Sequence, residues 1–95
     1  MKSQNNGVCR ILTIQNERGL HARASAKFVA VAGEYDALIT VSKDGVEVCG
    51  TSIMGLMMLA AAIGDQISVK AEGDQRNEAV DALEALVCDK FGEEC

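Results

Sequence analysis

Apolar and polar residues change their spacing several times along this chain, and each change marks an element. Val8 to Ile14 reads as a strand, with Leu12 and Ile14 on one face. Ala22 to Ala32 holds no Gly or Pro and reads as a helix. Ala22, Ala26, Val29 and Ala30 are spaced along one of its sides, and Gly33 stops it. Leu38 to Ser42 is β-rich, with Ile39 and Val41 sharing a face. Asp44-Gly45 then separates two apolar runs, a hairpin signal because both central residues of such a turn need positive φ. Val46 to Cys49 pairs back.

Ile53 to Ala62 reads as a short helix led by Thr51 and Ser52 and stopped near Gly64. Leu56, Leu59, Ala60 and Ile63 follow i, i+3, i+4, i+7 and are expected to face the sheet, which leaves Ile53, Met54 and Met57 pointing elsewhere. Gln66 to Ala71 alternates, with Ile67, Val69 and Ala71 on one face. A last helix runs from Gln75 to Lys90, with Asp74 as its N-cap and a buried stripe of Ala79, Leu83, Leu86 and Val87.

The order is β-α-β-β-α-β-α. Strands and helices do not alternate strictly, and one connection is a tight hairpin. This predicts an α+β domain, an open-faced β-sandwich whose helices cover one face of a four-stranded, largely antiparallel sheet. Arg10, Thr13, Thr40, Ser42, Glu47, Ser68 and Lys70 are expected on the open face, although Arg10 breaks the alternation.

Composition narrows the function classes. With 95 residues the chain fits one domain, 1–95, with a polar N-terminal extension over 1–7 and an acidic tail over 91–95. The core is small and a deep catalytic cleft is not expected. Aromatic residues are 3%, so the core is aliphatic. Net charge is −5, without a basic stripe or stacking aromatics, which argues against nucleic acid. No apolar h-region and no stretch of about 18 apolar residues is present, so a cytoplasmic protein that does not insert into membranes is expected. Cys9, Cys49, Cys88 and Cys95 lack CxxC spacing. They read as reduced thiols rather than zinc ligands, and a disulfide between two elements stays open because spacing does not give distance.

The candidate chemistry lies in Gly19-Leu20-His21-Ala22-Arg23. If the helix starts at Ala22, His21 is its N-cap. The first-turn N–H groups have no intrahelical partner and carry about half a positive charge, so the helix end attracts anions. Arg23 adds a full charge and a planar fork of donors suited to phosphate oxygens. A neutral imidazole there could accept a phosphoryl group. Position and composition alone favour the plainer reading of His21 as a polar cap or surface residue. No Asp or Glu lies within four residues downstream, and Glu17, four upstream, gives a hydrolytic dyad no support.

These residues resemble a known family. Gly19-Leu20-His21-Ala22-Arg23 resembles the phosphorylation motif of the histidine-containing phosphocarrier protein HPr, and Ser52-Ile53-Met54-Gly55-Leu56-Met57-Met58-Leu59 resembles the segment around that family's regulatory serine. The element order is also that family's. The resemblance implies a carrier with a transient phosphohistidine rather than a turnover enzyme. It would take a phosphoryl group on Nδ1 of His21 from phosphorylated enzyme I of the phosphoenolpyruvate-dependent phosphotransferase system. It would pass that group to an EIIA-type protein, in sugar uptake or in nitrogen-linked regulation. Arg23 would support the phosphate. Ser52, by pattern a helix N-cap, would be open to a regulatory serine kinase, as in some members. Ile53, Met54 and Met57 would form the docking patch. No metal or cofactor is implied, and a monomer is expected. The rival reading is a regulatory binding module on the same fold, acting through that patch. One departure is Ala24, where family members commonly carry Pro. Its effect falls on how rigidly the His21 loop is held.

Overall fold

The computed structural model describes residues 7–93. Residues 1–6 of the expected N-terminal extension, and Cys95, lie outside that range. The elements are β1 (Gly7–Thr13), α1 (Ala22–Ala32), β2 (Leu38–Lys43), β3 (Val46–Cys49), α2 (Ile53–Met58), β4 (Gln66–Glu72) and α3 (Arg76–Cys88), followed by a single 3₁₀ turn, Lys90–Gly92. The four strands form one sheet in the order β1-β4-β2-β3, and every neighbouring pair is antiparallel. The expected α+β open-faced sandwich is what the chain forms.

Strand alternation builds the buried face. Register pairs Leu12 with Ile67, Val41 with Val69, and Ile39 with Ala71, and all six are buried. Each large aliphatic side chain removed from water contributes about 1.5–3 kcal/mol. The hairpin forms at Asp44-Gly45, with φ of 51° and 83°. On the open face one row of cross-strand neighbours runs Cys9, Lys70, Thr40, Cys49 from one edge of the sheet to the other.

Four expectations need correction. Arg10 is not on the open face. It shares the parity of Leu12, lies at the sheet edge under α3, and donates to Asp81 at 2.6 Å and Glu84 at 2.8 Å. In α1 the buried residues are Ala24, Ser25, Phe28 and Ala32, whereas Ala22, Ala26 and Ala30 are exposed and Val29 is half-buried. Alanine on every side leaves the apolar spacing without direction, so the single aromatic, Phe28, sets the inward face. In α2 Leu56 and Leu59 are buried as expected, but Ala60 and Ile63 are exposed. The helix ends at Met58, and Ala60, at φ 53°, turns the chain aside, so the i+7 position no longer lies over the sheet. In α3 the N-cap is Gln75, not Asp74, and Val80 replaces the half-buried Leu86 in the stripe. Gln75 is held there by accepting from the Asp36 N–H at 2.7 Å.

Candidate functional site

The loop from β1 to α1 is fixed at both ends before it presents His21. Asn16 is fully buried and its Nδ2 donates to the Gly19 carbonyl at 2.9 Å, closing the turn. Gly19 has φ 63°, and a Cβ built on it would come within 2.2 Å of the Ala61 carbonyl oxygen. Only glycine fits that backbone and that space. The next residue, Leu20, donates its N–H to the same carbonyl at 3.0 Å and buries its side chain. Ser25 Oγ then donates to the Leu20 carbonyl at 3.2 Å, tying the first turn of α1 to the loop.

His21 is therefore the N-cap of α1 in extended conformation, as expected, and its side chain makes no capping bond. The imidazole is half-buried and turned to another partner: its Nε2 meets the Glu93 carboxylate, Oε2. The other carboxylate oxygen, Oε1, accepts from Asn16 Nδ2 at 3.0 Å. Asn16, Glu93 and His21 are thus joined in one chain of hydrogen bonds. Burial pushes the Glu93 carboxyl upward. The donors Asn16 and His21 and the nearby Arg18 charge outweigh this and hold it below the usual carboxylate range. Nδ1 of His21 has no hydrogen-bond partner among the described residues.

Glu93 is the contact of His21 that local sequence reading misses. It reaches the site because Phe91 is fully buried, so the stretch read as an acidic tail starts as part of the core. Lys90, Phe91 and Gly92 all have positive φ, at 56°, 56° and 77°. That backbone costs about 1–2 kcal/mol for each non-glycine residue. Burial of the Phe91 ring offsets the cost, and Lys27 Nζ on α1 donates to the Phe91 carbonyl at 2.7 Å. Sequence offered one signal: an isolated aromatic after the last helical pattern.

Arg23 is exposed in the first turn of α1, with no hydrogen-bond or ion-pair partner among the described residues. Arg18 acts on Glu93, the partner of His21, and Lys27 Nζ is held at the Phe91 carbonyl, so cations gather near the His21–Glu93 pair in a chain of net charge −5. Ser52 caps α2 as expected, its Oγ accepting from the Gly55 N–H at 2.9 Å. Ile53 (42%), Met54 (74%) and Met57 (43%) are exposed. Met58 (73%) and Ile63 (54%) are exposed as well. Helix α2 packs against α1, which carries His21. Among the described residues no cluster suited to a metal ion occurs and no helix is long and apolar enough to cross a membrane.

A nucleophilic ring at an anion-attracting helix end, with one nitrogen engaged and cations near it, suits phosphoryl exchange. The model for the HPr component of the phosphotransferase system, described as its phosphorylation site, matches residues 8–89. The chain belongs to the HPr family. It is 48% identical over 84 residues to the phosphocarrier protein HPr of Cupriavidus necator, covering 88% of this chain and 94% of that protein. It is 40% identical to the phosphocarrier protein NPr of Shewanella violacea, over 88% of this chain and 92% of that one. The fold is similar to the crystal structure of HPr-C-His from Thermoanaerobacter tengcongensis, with TM-score 0.88 and 42% identity over 93% of this chain and 99% of that one. The chain is thus an HPr-type phosphocarrier of the phosphotransferase system, and such carriers work with enzyme I and EIIA-type proteins.

Proposed function

We propose that His21 is the phosphoacceptor of this carrier, that it is charged by phosphorylated enzyme I in the cytoplasm, and that it discharges to an EIIA-type protein. The contact of Nε2 with Glu93 carries the reading. An ionised carboxylate only accepts, so Nε2 holds the ring hydrogen and the lone pair sits on Nδ1. That lone pair attacks phosphorus. The Nδ1–P bond forms as the bond from phosphorus to the donor breaks, and the electron pair of the broken bond stays with the donor. The first-turn N–H groups and Arg23 balance the oxygens' charge while the group is in transit. The identity of the EIIA-type acceptor decides between sugar uptake and nitrogen-linked regulation. Incubation with phosphoenolpyruvate and enzyme I tests the reading: an acid-labile gain of one phosphoryl group at His21 supports it, and no gain, or a gain elsewhere, sinks it.

Arg23 contributes charge and the two-pronged donor geometry of its guanidinium. Arg23→Lys keeps the first and Arg23→Ala keeps neither, so uptake rates should fall in the order Arg, Lys, Ala. The alanine loss should be at most about 10²-fold, the lower end for a preorganised donor, because an exposed cation is screened. Melting temperature should not move. Equal rates in the three proteins would remove Arg23 from the mechanism.

Partners dock on the Ile53, Met54 and Met57 patch, which lies beside the His21 helix; flexible thioethers suit a surface that meets both donor and acceptor. A charge placed on it must be desolvated at each encounter. Met57→Glu, and Ser52→Asp as a stand-in for a phosphoserine made by a regulatory kinase, should each raise the apparent KM for the donor about tenfold, equal to about 1.4 kcal/mol. Thermal stability should stay nearly constant, since Met57 is exposed rather than core and a negative charge suits a helix start. A large fall in melting temperature for Met57→Glu would show instead that the residue is core.

A further inference from the structure

We infer that Glu93 is a positioning residue for phosphoryl transfer: through Nε2 of His21 it fixes which ring nitrogen reacts and keeps the phosphorylated ring in its reactive, positively charged form. The inference rests on the reading of His21 as the phosphoryl site.

The contact fixes the tautomer first. Glu93 Oε1 is taken by Asn16 and Oε2 by His21, so the carboxylate is anchored and cannot follow a ring that turns over. Attack by Nδ1 then makes the ring an imidazolium, since Nδ1 now bonds phosphorus and Nε2 still bears its hydrogen. The half-buried carboxylate stabilises that cation, as a buried carboxylate does for an imidazolium in other histidine-dependent sites. Onward transfer runs the same balance in reverse. The Nδ1–P bond breaks, its electron pair returns to Nδ1, and the ring departs as a neutral imidazole with hydrogen on Nε2. Were Nε2 deprotonated, the leaving group would be an imidazolate, a far poorer one. Glu93 thus works in both directions: it helps the group on and keeps it ready to leave.

Other charges around the pair are accounted for. Arg18 in the loop acts directly on Glu93. Lys27 on α1 is engaged by the Phe91 carbonyl. Arg23 in the first turn and Lys90 in the final turn are exposed cations. None of them accepts a proton from Nε2, so among the described residues the carboxylate of Glu93 is the group that can hold the positive ring.

The test uses the full chain phosphorylated chemically with phosphoramidate, which needs no protein donor. Wild type, Glu93→Gln and Glu93→Asp are compared. Phosphorus and nitrogen NMR locate the phosphoryl group, and its decay is followed across neutral pH. Wild type should carry it on Nδ1. Glu93→Gln still accepts a hydrogen bond but has no charge, so its phosphohistidine should survive about tenfold longer at neutral pH, the lower end of the effect of altering the outer-shell partner of a metal-bound histidine. Its decay profile should shift to lower pH, and Glu93→Asp should restore much of the wild-type profile. Coincident profiles for wild type and Glu93→Gln would overturn the inference. Wild type that accepts phosphoramidate but takes nothing from enzyme I would sink the carrier reading instead, and the decay comparison would still decide the role of Glu93.

Discussion

A His21→Ala variant should take up no phosphoryl group from phosphorylated enzyme I and yet fold as the parent does. The two halves of that expectation come from different parts of the structure. In the proposed function the chemistry rests on one nitrogen, Nδ1, and no other imidazole exists in the chain. Arg23 and the helix end can attract an anion but cannot form a bond to phosphorus. The fold does not rest on His21. Its loop is held by Asn16, by the Gly19 approach to Ala61, by Leu20 and by Ser25. Deleting the ring removes one charge-assisted hydrogen bond, worth about 1.5–3 kcal/mol. Glu93 keeps Asn16 as a donor, so the loss should fall at the low end. Amide NMR spectra should differ only near the loop and the final turn. An acid-labile phosphate on the alanine variant at the normal rate would refute the assignment.

A large loss of stability should come from Phe91→Ala. The ring is fully buried and follows the last helix by only a few residues. Phe→Ala at such a site costs about 3–5 kcal/mol, against a total of about 5–15 kcal/mol for a domain. The variant should also lose the reason for its left-handed turn. Lys90 and Phe91 hold positive φ because the ring is anchored; without the anchor the backbone relaxes to ordinary angles and carries Glu93 away from His21. Denaturant unfolding and phosphohistidine lifetime should therefore change together in Phe91→Ala, whereas Glu93→Gln should alter the lifetime with little change in stability. A Phe91→Ala protein as stable as wild type would show that the cavity collapses without cost and that the turn is held by Lys27 alone.

Much of this architecture is legible in the sequence, and the illegible parts share physical causes. Period-two alternation places Ile39, Val41, Ile67, Val69 and Ala71 correctly, because a strand offers two faces and one is plainly apolar. Asp44-Gly45 fixes the hairpin for the same local reason. Alanine-rich α1 fails: its apolar residues point in every direction, so Phe28 and the packing around it decide the face. The end of α2 fails because Ala60 takes a left-handed angle that no glycine advertises. His21 and Arg23 stand out by position at a helix start. Glu93 does not, since it is 72 residues from its partner and is delivered by tertiary packing of Phe91. Arg10 shows the converse: its parity is readable, but the two carboxylates that retain it on the covered side lie on α3.

The row that crosses the open sheet face has a consequence for how this protein behaves in air. Cys9 and Cys49 sit at its two ends, three strand spacings apart, roughly 14 Å at 4.7–4.9 Å per spacing. A disulfide needs Cα atoms within about 7 Å. These two thiols therefore cannot staple one molecule. Both are exposed, and the Thr51 hydroxyl beside Cys49 holds its thiol below the usual range, which favours the thiolate. A disulfide between Cys9 and Cys49 therefore links separate molecules, on the sheet face away from the helix that His21 caps.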